Sequence, residues 1–587
     1  MEFIQIKSIE YYNALKKNKE SFIPVIFDSN YVFVGPISGK NVSGNCLNCF
    51  FNNLKENNSE FYYILKAIFE ENRECVDRIF KPIIDIISAL SHDLLSNVVI
   101  IERKNLSIKK LFVHKAPNCE CSTKETRNFL LSNLKYDYKF NPNKRCKNGK
   151  DIFTEDVLKK ILNKHSGIGQ GVVRDADSKV IPMYYIKSSI VGKQYYSYGR
   201  TENINTAKMA AIFEMLERYT SMVPHTKPDV VDSYYNLKAK GYSIVHAKEL
   251  ILNQFSKNSM DTGIFGAYSD EKIYRWKKVF DLCSEKFVYI PEQVVYYDSQ
   301  LISNEKRFIY ETSNGCALGG TLEEAILYAM FEVIERDAFL VHWYNSIAPK
   351  KLDISNIDNT NIFNVIKYVE NKGFKINIFD ITMESNIPTI WVAIIDESFN
   401  GKVKCYNAAG TNINPEKALE SALIEVITSV FVYNSILEKD EKSKLIKMLT
   451  ENTDRVLEME DHVYFYANKN NFKYIQKHYS NQEIVDFRKN FSKWYENKDI
   501  TYTFEEIIKK VSKYHKNIYI SLLDSEVTES LGLFSVKVII PSMLTMTFGN
   551  NNRRINYDRV VNGPIISGIR KKKIKKEDIN LNPHPFP

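Results

Sequence analysis

Two stretches of the chain carry nearly the same octapeptide, Ala211-Ile212-Phe213-Glu214-Met215-Leu216-Glu217-Arg218 and Ala329-Met330-Phe331-Glu332-Val333-Ile334-Glu335-Arg336. Residues three apart share a helix face, so each copy presents two carboxylates to one point. Apolar neighbours such as Phe213, Phe331 and Ile334 mark core helices, where two unpaired negative charges are costly without a cation beside them. Arg218 and Arg336 are one source of compensation and a divalent metal is another. Periodicity alone leaves open that both copies are surface salt-bridge patches. The duplication, and the glycine turns ahead of both helices, favour an anion-binding and metal-binding role. Mg²⁺ suits such a set, because it is held by one or two carboxylates together with substrate phosphates.

The surroundings of these helices predict a mixed α/β body. Tyr195–Tyr198 reads as a strand leading through Gly199-Arg200-Thr201 into a helix at about Asn205–Ser221. A second helix is expected at about Leu322–Asn345, and a third at about Glu416–Asn434 after Asn414-Pro415. Val392–Ile395 and Val536–Ile540 read as strands between and after them. Two apparent phosphate loops fail on spacing. Gly35-Pro36-Ile37-Ser38-Gly39-Lys40-Asn41 is one residue short of a P-loop and ends in Asn, and Gly167-Ile168-Gly169-Gln170-Gly171 has no strand before it, so both are read as turns.

At 587 residues, with 44% hydrophobic and 26% charged side chains, the chain is long enough for several folded units and too apolar for a disordered one. The excess of 80 Lys plus Arg over 71 Asp plus Glu is small, and its densest run, Arg570–Lys576, is expected to be a solvated tether, with no nucleic-acid partner. No signal-like start and no uncharged apolar run of about 18 residues are seen, which makes the cytoplasm the expected compartment, with no membrane partner. From Glu2 to about Leu134, runs such as Phe22–Phe27 and Asn97–Ile101 suggest a small α/β unit. Tyr136–Lys150 is polar and turn-forming and is read as a linker.

Cys46-x-x-Cys49 and Cys119-x-Cys121 lie in that first unit, and four thiolates from two short clips suit one tetrahedral Zn²⁺. Free thiols are the other reading. Cys75, Cys146, Cys283, Cys316 and Cys405 show no matching spacing. His342-Trp343 reads as a helix-packing pair.

The stretch Thr312–Ala325, running into Glu332–Phe339, resembles the second nucleotide-binding motif of YcaO proteins, and Gly199–Arg218 resembles the first. The ending Pro583-His584-Pro585-Phe586-Pro587 is similar to the Pro-x-Pro-x-Pro tail of azoline-forming YcaO cyclodehydratases. The resemblance implies an α/β YcaO domain over residues 160–587, preceded at 1–150 by a small α/β zinc-bearing remnant of an E1-like protein. It implies an ATP- and Mg²⁺-dependent enzyme that turns Cys, Ser or Thr of a ribosomally made precursor peptide into thiazoline or (methyl)oxazoline by phosphorylating an amide oxygen, as in bacteriocin or cytolysin biosynthesis.

Carried over by position, Glu214, Glu217, Glu332 and Glu335 match magnesium and nucleotide carboxylates, and Glu324, Arg336 and Glu425 match further nucleotide-site residues. Pro583, Pro585 and Pro587 match the catalytic tail, and the four cysteines match the zinc ligands. Ser421 stands where the family usually has Arg, Thr428 where it has Gln, and Gly320 where a polar residue is usual, which weakens the expected phosphate clamp. Implied partners are a leader-bearing precursor, a separate leader-binding E1-like (ThiF-like) protein, a flavin dehydrogenase that would oxidise the rings, and a second copy in a homodimer. Thioamidation on the same fold, and a peptide-docking scaffold with a vestigial nucleotide site, are the alternatives.

Overall fold

The computed structural model describes residues 2–42, 44–70, 94–117, 119–121, 134–252, 265–303, 305–398, 402–439, 442–481, 483–495, 501–523 and 525–586. The amino-terminal part is a five-stranded sheet in sequential order, β1 (Glu2–Gln5), β2 (Phe22–Phe27), β3 (Tyr31–Val34), β4 (Asn97–Glu102) and β5 (Ile108–Phe112), with only β1 and β2 parallel. Every residue of β2 is buried, because the sheet is covered on both faces. Alternation sends Phe22 and Ile26 into the cluster beneath helix α1 (Leu47–Glu56), while Ile23, Val25 and Phe27 fill the opposite face.

Four further sheets follow among the described residues, the smallest pairing Lys139–Phe140 with Tyr502–Thr503. An antiparallel meander joins β6 (Gly169–Arg174), β7 (Met183–Ile190) and β8 (Lys193–Arg200). A six-stranded sheet has the order β9 (Val230–Ser233), β10 (Ile273–Asp281), β18 (Tyr519–Leu522), β19 (Phe534–Ile539), β12 (Cys316–Gly319), with β11 (Lys286–Pro291) also paired to β10. A five-stranded sheet has the order β16 (Cys405–Thr411), β15 (Thr389–Asp396), β14 (Phe374–Asp380), β13 (Lys350–Asp353), β17 (Ile484–Asp486). The expected mixed α/β architecture is therefore present. One local expectation is corrected: Gly169-Gln170-Gly171 opens β6 rather than forming a plain turn, and the register with β7 shifts between Gly169 and Val172.

Three long helices tie these sheets together. Helix α2 (Ile204–Met222) packs on β7 and β8 and reaches β12 and β19; α3 (Leu322–Tyr344) packs on β12, β19 and β16; α4 (Pro415–Lys439) packs on β15 and β16 and touches β8. Each starts where the sequence signals a start. Asn203 caps α2 by accepting from the Asn205 and Thr206 N–H groups, Thr321 caps α3 by accepting from Glu324 N–H, and Pro415 opens α4. Helix α4 is long and apolar enough to span a membrane by composition, yet half of its most apolar window is buried inside the fold. Helix α3 is the central element: Phe339, Trp343 and most of its other side chains are buried, each large one contributing about 2–3 kcal/mol of apolar burial.

Two glycines let strand and helix approach closely. A Cβ on Gly199 would lie 1.9 Å from Ala207 O, and one on Gly410 would lie 2.1 Å from Ala418 O. In both cases the contact falls eight residues on, so β8–α2 and β16–α4 are equivalent strand–glycine–helix units. Their strand ends aim into one space beside α3.

Candidate active site

The two octapeptides fold into the same local device. Glu214 Oε2 accepts the Tyr198 N–H at 3.0 Å, and its Oε1 meets Arg218 at 2.7 Å, four residues on. Glu332 Oε2 accepts the Gly315 N–H at 3.0 Å, and its Oε1 meets Arg336 at 3.2 Å. The first glutamate of each copy is thus fixed by a backbone donor on one oxygen and a guanidinium on the other. The second glutamate, Glu217 or Glu335, stands next to it on the same helix face.

The device gathers negative charge. Burial, then repulsion from Glu332 and Glu214, pushes the Glu217 carboxyl up to about 8. Burial, with repulsion from Glu425 and Glu332, pushes Glu335 well above the usual carboxylate range, against the nearby Arg336 charge. Burial also raises Glu332, with Arg336 and Lys537 pulling the other way. Five glutamates from three helices, Glu214, Glu217, Glu332, Glu335 and Glu425, therefore act on one another electrostatically. Carboxylates crowded and desolvated in this way are stabilised by a divalent cation, which makes the set chemically suited to Mg²⁺.

Beside them opens a cavity of about 920 Å³, reached by Glu214, Glu217 and Glu425. Arg200 crosses it to pair with Glu425 at 3.3 Å. Its other wall is Pro142–Lys150, the segment read from sequence as a linker, and contributes Lys144, Arg145, Lys147 and Lys150. Arg145 lies 4.1 Å over the Tyr328 ring and donates to Leu318 O at 3.1 Å. A basic wall facing an acidic cluster is what a polyphosphate bridged by metal requires. The four cations within seven residues were the available signal; their turn-forming neighbours pointed to a linker instead.

The remaining nucleotide-site expectations are placed as follows. Glu324 is fully buried, outside the cavity lining: its oxygens accept the Cys146 N–H at 3.0 Å and the Gly320 N–H at 2.6 Å. It thereby suspends the basic wall from the start of α3. A side chain at Gly320 would meet the Lys147 backbone nitrogen at 2.9 Å, which explains the glycine there. Ser421 lines the cavity, whereas Thr428 is buried and donates within α4 to Ile424 O at 2.7 Å. His342 is buried and bonded to Ala338 O at 2.8 Å, as expected of a packing residue.

The carboxy-terminal segment is seated in the core rather than solvated. Pro583, His584, Pro585 and Phe586 are buried, and Pro587 lies outside the described residues. Helix α5 (Met459–Ala467) holds the segment: His462 Nδ1 donates to His584 O at 2.7 Å, and Tyr466 O–H donates to Pro583 O at 2.7 Å. The segment ends against the second octapeptide, with the Arg336 guanidinium 5.4 Å over the Phe586 ring.

The four cysteines form a separate, closed cluster. Cys46 caps α1, Cys49 lies in its first turn, and Cys119 and Cys121 follow β5. Their sulfurs all lie within 4.8 Å of one another, with Cys46–Cys119 and Cys49–Cys121 each at 3.4 Å. A tetrahedral ion with Zn–S bonds of about 2.3 Å would set its sulfurs roughly 3.8 Å apart, so donor type and spacing fit zinc. Hydrogen bonds with Cys119, Cys121 and Cys49 hold Cys46 far below the usual thiol range, and those with Cys119, Cys121 and Cys46 push Cys49 up.

Residues 198–544 match the family described as YcaO cyclodehydratase, ATP- and Mg²⁺-binding. An uncharacterised protein of Methanothermobacter thermautotrophicus is 23% identical over 39% of this chain and 56% of its own length. An uncharacterised protein of the tfuA 3′ region of Rhizobium leguminosarum bv. trifolii is 24% identical over 26% of this chain and 38% of its own. The chain thus spans about half or less of these relatives. Among solved structures, a heterocyclase in complex with substrate and cofactor is similar over all of this chain and 81% of its own, with TM-score 0.71 and 16% identity. The heterocyclase TruD is similar over all of this chain and 79% of its own, with TM-score 0.59 and 16% identity. These two share the fold.

Proposed function

The chain belongs to the YcaO family of ATP- and Mg²⁺-binding cyclodehydratases, and on that premise we propose that it forms thiazoline or (methyl)oxazoline rings from Cys, Ser or Thr of a ribosomally made precursor peptide, for a bacteriocin- or cytolysin-type product. The carrying observation is the doubled device of Glu214–Arg218 and Glu332–Arg336, with identical backbone anchoring, beside one cavity with a basic wall. Magnesium-bound ATP, when held here, would supply the phosphoryl group that makes the amide oxygen a good leaving group. Glu217 and Glu335 are the carboxylates that would hold the metal, oriented by their fixed neighbours Glu214 and Glu332. Glu425 positions Arg200, and the loop held by Glu324 sets cations against the phosphates. Such groups position and neutralise charge rather than react.

The segment Pro583–Phe586, packed against Arg336, supports a role for the proline tail in completing the site. Zinc on Cys46, Cys49, Cys119 and Cys121 would be structural, because four thiolates leave no open coordination position. The remaining parts of the proposal are a separate leader-binding partner, a homodimer, and a flavin dehydrogenase acting later.

The test is mass spectrometry of a Cys-, Ser- and Thr-bearing precursor incubated with the chain, its leader-binding partner and ATP. Each ring lowers the mass by about 18 Da through loss of water, whereas thioamidation would raise it by about 16 Da. Unchanged peptide mass with no peptide-dependent phosphate release overturns the reading. One observation favours a docking scaffold instead: Ser421 offers the cavity no charge, and its neighbour on α4, Lys417, is paired with Glu420 at 2.6 Å; peptide-dependent phosphate release decides against it.

A further inference from the structure

A second cavity, of about 420 Å³, lies between the amino-terminal sheet and the last turn of α2. Phe112, Val157, Ile161, Val527 and Leu531 give it a largely apolar lining. Two polar atoms in that lining are left without partners. His114 is 3% exposed and Thr226 6% exposed, both line the cavity, and neither His114 Nδ1 nor Thr226 Oγ1 has a hydrogen-bond partner. Buried polar atoms are almost always paired, so two orphans on one apolar cavity point to a ligand that pairs them.

The chemistry of the two atoms narrows the ligand. His114 Nε2 lies 2.9 Å from Lys160 O and must donate its proton there. Burial holds the imidazole down at about 4, so at neutral pH Nδ1 carries a bare lone pair and can only accept. The ligand therefore brings an N–H or O–H. It brings no charge, because the lining cations are already matched: Lys115 pairs with Glu526 at 2.7 Å and Lys160 with Asp156 at 2.6 Å. Rings of Phe112 and Tyr219 flank the space and suit an aromatic body.

We infer that this cavity binds a neutral aromatic ring bearing one hydrogen-bond donor, an indole or a phenol, with the donor given to His114 Nδ1 and the ring face or phenol oxygen left to accept from the Thr226 O–H. The floor of the site, His114–Pro117, runs directly into the segment bearing Cys119 and Cys121. Tyr219, two residues beyond Glu217, closes the opposite side and donates to Lys115 O at 3.3 Å. The site thus touches the thiol cluster's loop and the helix of the first octapeptide together.

The probe is 5-fluoroindole, titrated against the full chain by ¹⁹F NMR. Saturable broadening is expected, with N-methylindole, which has no donor, competing about tenfold less well than indole. Val527→Trp, at a half-buried position, fills the cavity and is expected to abolish binding while leaving peptide-dependent phosphate release unchanged; Leu531→Phe serves if that variant does not fold. Displacement by N-acetyltryptophanamide assigns the site to an aromatic side chain of a peptide, and displacement by indole alone assigns it to a free small molecule. Absence of saturable binding, equal competition by N-methylindole, or full binding in the filled variants overturns the inference.

Discussion

The four thiols at the start of α1 and after β5 and the glutamates of α2 and α3 meet one electrostatic problem, crowded anionic ligands, in opposite ways. The sulfurs converge within 4.8 Å, and α1 and the loop after β5 close over them. The carboxylates are held by their own partners, each first glutamate tied to a backbone N–H and an arginine, and Glu214 and Glu217 open on about 920 Å³ of space, outside whose lining Glu332 and Glu335 lie. A closed cluster can only stabilise what surrounds it. An open one retains room for a ligand that arrives and leaves, so it is the one suited to turnover.

The largest expected effect lies at the closed cluster. Structural zinc supplies on the order of 10 kcal/mol in small domains, so Cys46→Ser combined with Cys49→Ser is expected to unfold the amino-terminal sheet, read as new protease sites confined to residues 1–150. A folded, metal-free double variant would reduce the cluster to free thiols. At the open cluster, Glu332→Gln is expected to lower peptide-dependent phosphate release at least 100-fold, about 3 kcal/mol of transition-state stabilisation, with denaturant midpoint nearly unchanged. Turnover within twofold of the parent would erase the distinction drawn between the clusters.

A smaller effect is expected at Phe586. Its ring lies under Arg336, and Phe586→Leu removes a contact of about 1 kcal/mol, a loss of roughly fivefold in turnover. Unaltered kinetics would show that the carboxy-terminal segment only packs. The smallest effect concerns acid. His462 has Nδ1 donated to His584 O and Nε2 accepting from Gly549 N–H at 3.1 Å, and burial holds it down at about 4. A histidine kept neutral in the folded state stabilises it fully above its ordinary value of 6.5, and that contribution is lost as pH falls from 6.5 through 4. Urea midpoints at pH 7 and pH 5 are expected to differ less in His462→Gln than in the parent, and an equal drop would remove His462 from the account.

What the sequence made legible follows from local physics. The three long helices begin at a capping Asn203, a capping Thr321 and Pro415, signals carried by single residues. Glu-x-x-Glu spacing put both carboxylates of each copy on one face. The use of each carboxylate was not legible, because the donors that fix Glu214 and Glu332 come from Tyr198 and Gly315, sixteen and seventeen residues upstream on other elements. For the same reason Tyr136–Lys150 reads as a linker: nothing within it reveals that Glu324, 178 positions from Cys146, will hold part of it as a cavity wall. Gly169–Gly171 reads as a turn because glycine composition outweighs the strand pairing that β7 supplies.

The suspension of that wall from Glu324 changes how a genetic map of this protein should be read. Both of its oxygens are spent on main-chain amides, yet losing them would let a whole ribbon of lysine and arginine drift from its post. A deep mutational scan scored on survival would then colour position 324 as if it gripped the nucleotide. The error would surface only in a second assay on the purified protein: raising ATP would restore phosphate release at 324 far better than at 332.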